Sequence, residues 1–273
     1  MVMFLLLPIV KMAADSLYEF DVFSNTKSFI GLQNYVKAFT DESFLEPLKN
    51  TFLYVVIAVS FETIIGMALA LVMVHDFKGV KLIRTLLLTP LMIAPLIAGL
   101  TWRLMFNSNF GIINQLLKDV GILKTAADTI TWLADKNTAM AAVIIADIWL
   151  TVPFMMLMFL AGLQSIDESV LEAARIDGVN FFQNLFFIKL PIISFVVFTA
   201  ITVRVIDAAR TFDIIYVMVE EQVPVISTQI YNTLVKYQHP GYASAMAMIF
   251  ITFFVIITFS FLQRMWKPSK KGR

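Results

Sequence analysis

Cysteine is absent from these 273 residues, which excludes disulfides, thiolate metal sites and a cysteine nucleophile. Histidine occurs only at His75 and His239, near opposite membrane faces in the topology read below. That separation rules out a Ser-His-Asp triad and a two-histidine metal site, so no catalytic residue or metal ligand is assigned. No G-x-x-x-x-G-K-[ST] run and no H-E-x-x-H motif occurs, so the chain has no phosphate-cradling loop of its own and binds no cofactor by this reading. Charged residues are scarce at 15%, and a net charge of +1 provides no field to draw in nucleic acid. Linkers, low-complexity tracts and internal repeats are also missing, and residues 1–273 read as one integral membrane domain.

What is present in excess is apolar sequence: 59% of the chain, against about 45–50% in ordinary globular proteins. A bilayer core about 30 Å thick needs roughly 20 predominantly apolar residues per helix. Segments 51–74, 85–106, 139–163 and 242–263 meet that length, and 188–210 does so with charges toward its end. The opening run 1–13, "MVMFLLLPIV" onward, has no basic flank and no small-residue cleavage site, so it is not read as a signal peptide. Too short to span alone, it reads as the last part of a helix whose beginning is missing. The expected fold is therefore all-α and membrane-integral, with about six spans, the first truncated.

Lysine and arginine orient these spans. Loop 75–84, "HDFKGVKLIR", holds three basic residues in ten and the tail 264–273, "RMWKPSKKGR", holds five in ten. Segments 14–50 and 107–137 hold three each, in 37 and 31 residues. Loop 75–84, loop 164–187 and the C-terminus are thus expected in the cytoplasm.

Loop 164–187 is unlike its surroundings. "SIDE" has the spacing of a capping box, Ser165 to Glu168. Ile166, Val170, Ala173 and Ala174 then fall on one helical stripe, and Glu172 and Arg175 stand at i, i+3 where they can pair. Gly178 is placed to end the helix, and "VNFFQNLFF" forms a second helical piece before Pro191. A connector resting its phenylalanines at headgroup level is one reading. The other is a docking knob, because alanines permit close backbone approach and Glu172 and Asp177 supply polar anchors.

"EAARIDGVNFFQNLFFIKLP" closely resembles the EAA motif of permease subunits in binding-protein-dependent ABC importers, at Glu172, Ala173, Ala174, Gly178, Ile188, Leu190 and Pro191, with Asp177 matching a frequent D-G pair. "FIGLQNYVKAF" (29–39), "LKNTFLYVV" (48–56), "RTLLLTPLMIAPLIAGLTWRLMFNSNFGIIN" (84–114) and "ADIWLTVPFMMLMFLAGLQSI" (146–166) extend the likeness over nearly the whole chain, toward the maltose and glycerol-phosphate type of carbohydrate permease. The resemblance implies that Glu172, Ala173, Ala174, Asp177 and Gly178 form a coupling helix seated in a groove of an ATP-hydrolysing subunit. It further implies two ATP-binding subunits holding ATP and magnesium, a second homologous permease, an extracytoplasmic solute-binding protein, a carbohydrate solute and a bacterial or archaeal cytoplasmic membrane. The outward loop "VMVEEQVPVIST" (217–228) departs from the family's Thr-Gly-Gly-Gly-Pro-like turn, which bears on binding-protein contacts and solute identity.

Ionisable groups inside spans are costly and ordinarily face a bundle interior or a wet path. Glu62, Arg103, Asp147, Arg204, Asp207 and Arg210 qualify. Arg204, Asp207 and Arg210 are three apart and read as a self-neutralising stripe near the outer end of the fifth span. A sugar path favours acids or amides for hydroxyls and aromatic faces for rings, which makes Trp102, Asp147, Trp149, Arg204 and Asp207 candidates. Packing is the competing role for each, and interfacial anchoring the competing role for Trp102. Two other function classes stand beside the importer: an ion-gradient carrier, for which Glu62 and Asp147 are the midplane carboxylates, and a membrane enzyme or assembly factor, which lacks a convergent reactive cluster.

Overall fold

The structure, a computed structural model, describes residues 2–21, 26–124 and 128–266, with side chains described for these apart from 2–5, 21 and 257–266. The chain opens with α1 (Val2–Asp15) and a short antiparallel hairpin, β1 (Tyr18–Asp21) and β2 (Thr26–Phe29), with Tyr18 opposite Phe29. This hairpin is the one departure from helix among the described elements, and no alternating pattern in the sequence announced it. After α2 (Gln33–Ala38) comes α3 (Glu42–Met73), the longest helix at 32 residues. It starts nine residues before the expected span at 51, because Asp41 caps it by accepting from the Ser43 amide at 2.9 Å. The Asp41 carboxyl, although burial raises it, is held below its usual range by hydrogen bonds from Ser43 and Tyr242.

The expected third span, 85–106, is not one straight helix. It divides into α4 (Val80–Leu88), a 3-10 turn (Thr89–Met92) and α5 (Pro95–Met105), and the two arms meet at 97°. Pro95 causes the break: it has no N–H to continue the ladder and forces Ala94 into extended backbone, ψ 134°. The short α6 (Ile112–Asp119) leads to α7 (Lys136–Gln164), 29 residues capped by Asp135.

The expected fifth span at 188–210 also bends. Beyond α8 (Glu168–Ile176), the chain runs through α9 (Phe181–Gln183), a π-helical turn (Asn184–Lys189) and α10 (Leu190–Ile192). It then turns 76° at Ile193 into α11 (Ser194–Ala209). The π turn and Pro191, which has no N–H to give, weaken the ladder where the bend falls. The outer segment contains α12 (Asp213–Val219), α13 (Ile226–Tyr231) and a π turn (Asn232–Lys236), and α14 (Pro240–Trp266) closes the chain. The expected span 242–263 lies inside α14. The basic tail that orients it lies, from residue 267, outside the described residues.

The bundle is organised around α3 and α7, each long and apolar enough to cross a membrane. The helices meet closely at Gly66, where an added Cβ would stand 2.7 Å from that of Met155. Fully buried alanines, Ala58 on α3 and Ala139, Ala142 and Ala146 on α7, pack in the core around this pair. Small residues suit membrane helices because lipid supplies no hydrophobic drive and close packing must replace it. The two helices run parallel, Asn50 and Lys136 sharing one groove near their starts, so α6 and α8 fall at opposite ends of α7.

Candidate functional site

Two places concentrate polar chemistry, and α8 is the first. Its start differs from the expected capping box. Ser165 instead ends α7, its hydroxyl donating to the Gly162 carbonyl at 2.7 Å, because α7 runs on as far as Gln164. Asp167 is the N-cap, accepting from the Ser169 amide at 2.9 Å and the Ser169 hydroxyl at 2.8 Å. Those bonds, the hydroxyl first, hold the Asp167 carboxyl below its usual range. The capping box of this loop lies further on, between Asn180 and Gln183.

The expected apolar stripe is split. Ile166 and Ala174 are buried, whereas Val170 and Ala173 face outward beside exposed Glu172 and Asp177. Glu172 and Arg175 form no ion pair with each other, which leaves the Glu172 carboxylate presented at the surface. Gly178 has φ +70°, and the Val179 amide donates back to the Ala174 carbonyl at 3.1 Å, the long bond of a Schellman turn. A Cβ at Gly178 would meet nothing within 4 Å, so glycine is required there by backbone conformation and not by space. Ile176, next to the turn, is 86% exposed.

The second place is buried. The Arg204 guanidinium on α11 grips Glu62 of α3 with two bonds, Nε to Oε2 at 2.6 Å and Nη2 to Oε1 at 2.9 Å. Nη2 also donates to Asp147 of α7, and the Tyr54 hydroxyl donates to the same Asp147 oxygen at 2.6 Å. All four side chains are essentially without solvent contact. Bidentate, charge-assisted bonds in a medium without water are the strong kind, and losing one partner strands the other charge. The expected stripe is thus divided: Asp207 pairs with Arg210 at 2.8 Å at the surface, and Arg204 turns inward with Nη1 3.6 Å from Asp207.

Glu62 and Tyr54 are the cluster members that the candidate list lacks. Glu62 had a signal, since a lone acid in an apolar run requires a partner. Tyr54 had none, because a tyrosine near a span end is ordinary. The remaining candidates lie elsewhere. Trp102 and Trp149 meet edge to face at 5.8 Å, and Trp102 stacks on Phe106 at 5.4 Å. Asp147 and Trp149, two apart on one helix, diverge by about 200° and cannot share a face. So Asp147 and Arg204 come together in the cluster, Trp102 and Trp149 come together beside it, and Asp207 is left half-exposed at its rim.

At the end of the bundle opposite α8, a cavity of about 920 Å³ opens between α5 and the segment after α12. Arg103, Asn107, Ser108, Glu220, Glu221 and Lys236 are among its lining residues. Arg103 pins the far wall by donating to the Val217 carbonyl at 2.9 Å and to Glu220 at 3.2 Å, and Lys236 pairs with Glu221. Glu220 holds φ +47°, a conformation few side-chain-bearing residues adopt. Among the described residues no three His, Asp or Glu side chains converge as metal ligands.

Comparison with known proteins supplies a frame for these two places. Residues 62–271 match the family described as "Binding-protein-dependent transport system inner membrane component". The chain is 34% identical to the trehalose/maltose transport system permease protein MalF of Thermococcus litoralis, across 94% of this chain and 86% of that one. It is 31% identical to the sulfoquinovosyl glycerol transport system permease protein SmoG of Agrobacterium fabrum, across 94% and 83%. A chain in the crystal structure of a bacterial alginate ABC transporter, in complex with an alginate pentasaccharide-bound periplasmic protein, superposes with a TM-score of 0.83. It does so at 21% identity, over all of this chain and 92% of that one.

Proposed function

The chain belongs to the inner membrane components of binding-protein-dependent transport systems, and we propose that in such a system it carries a sugar or related carbohydrate into the cytoplasm. It pairs with a second, homologous permease, docks two ATP-binding subunits that hold ATP and magnesium, and receives solute from an extracytoplasmic binding protein. The carbohydrate class is supported by relatives whose names specify trehalose/maltose, sulfoquinovosyl glycerol and diacetylchitobiose.

The observation that carries this reading is α8. A nine-residue helix with an outward alanine, an unpaired Glu172 and a glycine turn stands exposed between two membrane-spanning regions. Glu172, Ala173 and Asp177 face the ATPase in this reading, Ala174 anchors the helix to its own subunit, and Gly178 sets the exit angle. Closure of the ATPases on ATP drives the helix, and the path between the two permeases switches from inward to outward facing. Loop 164–187 and the C-terminus are cytoplasmic, and the 920 Å³ cavity faces the binding protein.

For the solute path, Trp102, Trp149 and half-exposed Asp207 offer surfaces that solute reaches. Asp147 and Arg204 act from behind, holding helices in place. An ion-gradient carrier needs midplane carboxylates free to take and release its ion. Here both are engaged by Arg204, which weighs against that class.

Uptake in vesicles that contain the permease pair, the ATPases and the binding protein tests the proposal. Uptake must require ATP and the binding protein, and must survive collapse of the ion gradients. Uptake that persists without ATP and fails when the gradient is dissipated would overturn it.

A further inference from the structure

The helix α6 divides into three sectors. At about 100° per residue, Ile112, Leu116 and Val120 form one strip, Ile113 and Leu117 the adjoining one, and the polar edge starts at Asp119 beside Ile112 and runs through Gln115 to Lys118, opposite Leu116. Ile113 packs on the core. Buried Asn114 fixes the helix, donating to the Ile130 carbonyl at 3.0 Å and accepting from the Trp132 indole at 2.9 Å. The polar edge is tied by Gln115 to Asp119 at 2.9 Å. The apolar arc is therefore wider than the protein surface it covers. Ile112 is 52% exposed, Leu116 51% and Val120 74%, with Phe110 and Ile122 open on either side.

A helix facing protein on one side and water on the others does not keep such a strip, whereas a helix lying in a bilayer surface does. Its position agrees. Only six residues separate the end of α5 from its start, and the exposed residues Leu96 and Leu104 of α5 are apolar as well. We infer that α6 lies flat in the membrane surface at the end of the bundle opposite α8. Leu116 and Val120 reach into the acyl chains, Ile112 and Asp119 lie together at the boundary, and Gln115 faces water. Since Asn107 and Ser108 line the 920 Å³ cavity just before α6, lipid contact fixes one wall of that cavity.

The inference rests on α5 being membrane-embedded, and its test separates the two. Because the chain has no cysteine, single cysteines at Leu104, Gln115, Leu116 and Val120 carry a nitroxide label with no background from this chain. The complete complex is reconstituted in phosphatidylcholine–phosphatidylglycerol vesicles, and collisions with oxygen and with a water-soluble nickel chelate are measured by electron paramagnetic resonance. The expected result is that oxygen dominates several-fold at 104, 116 and 120 and the chelate at 115. Chelate access at 116 and 120 with oxygen dominance kept at 104 overturns the α6 inference alone. Chelate access at 104 too overturns the membrane reading of α5. Shielding of 116 only on adding binding protein makes the strip a protein-docking face and likewise overturns the inference.

Discussion

The α8 loop and the Glu62–Asp147–Arg204 cluster use the same residue types in opposite ways. In the loop Glu172 is unpaired, solvated and contiguous with the rest of its motif, and in the proposed function its value lies in what it presents to another protein. In the cluster each charge is paired, dry and drawn from a different helix, with Glu62 and Arg204 separated by 142 positions in the chain. Exposed charge costs little and can be spent on recognition. Buried charge is tolerated only where geometry is fixed on all sides, so it reports on the rigidity of the fold.

The sharpest way to break this contrast is Arg204→Met, which leaves Glu62 and Asp147 buried together without a cation. A loss of about 3–5 kcal/mol is expected, seen as a sharp fall in thermal stability of the purified protein in detergent. Replacing all three, Glu62→Leu with Asp147→Leu and Arg204→Met, is expected to recover most of that loss. If the triple variant is no better than the single one, the cost is not electrostatic. In the loop the balance is reversed: Glu172→Lys or Gly178→Asp should leave insertion and melting nearly unchanged. Uptake driven by ATP hydrolysis should still fall about tenfold, equivalent to about 1.4 kcal/mol of coupling. Normal uptake by both would make the stretch only a connector.

A milder change tests the glycine turn alone. Gly178→Ala has room for its methyl but not the preferred backbone, and should cost about 1 kcal/mol of local order. Hydrogen exchange at Val179 and Asp177 reads this directly. The smallest effect is the pH response of the α8 start. The folded-state pKa of Asp167 is depressed, so its capping is complete above the ordinary carboxylate value of 3.8 and is lost as pH falls through the lower folded value. Exchange at Ser169 should quicken only in that acid window, and Asp167→Asn should flatten the response.

How much of each region could be read in advance follows from the same contrast. Gly178, Ala173 and Glu172 were legible because a helix and its glycine stop are local, set by residues within a turn or two of one another. The N-cap of α8 was misplaced by two residues because Ser165 and Asp167 are both good caps, and the choice depended on where α7 ended. The bends at Ala94 and Ile193 were missed although Pro95 and Pro191 were in view, since hydropathy counts apolar residues without noticing where the backbone ladder breaks. The stripe of Arg204, Asp207 and Arg210 has both of the ion pairs its spacing implied, but spacing had no means of turning Arg204 inward to Glu62 and Asp147.

The sequence by itself determined that this chain lies in a membrane, that it exposes one short helix between spans, and that a left-handed residue ends that helix. These are matters of transfer free energy and local dihedral preference, and both act residue by residue. The tertiary structure alone decided which buried charges meet and that Tyr54 joins them. The cost of a charge in hydrocarbon requires a partner but does not name one, and the partner is chosen by the depth and rotation of three helices packed together.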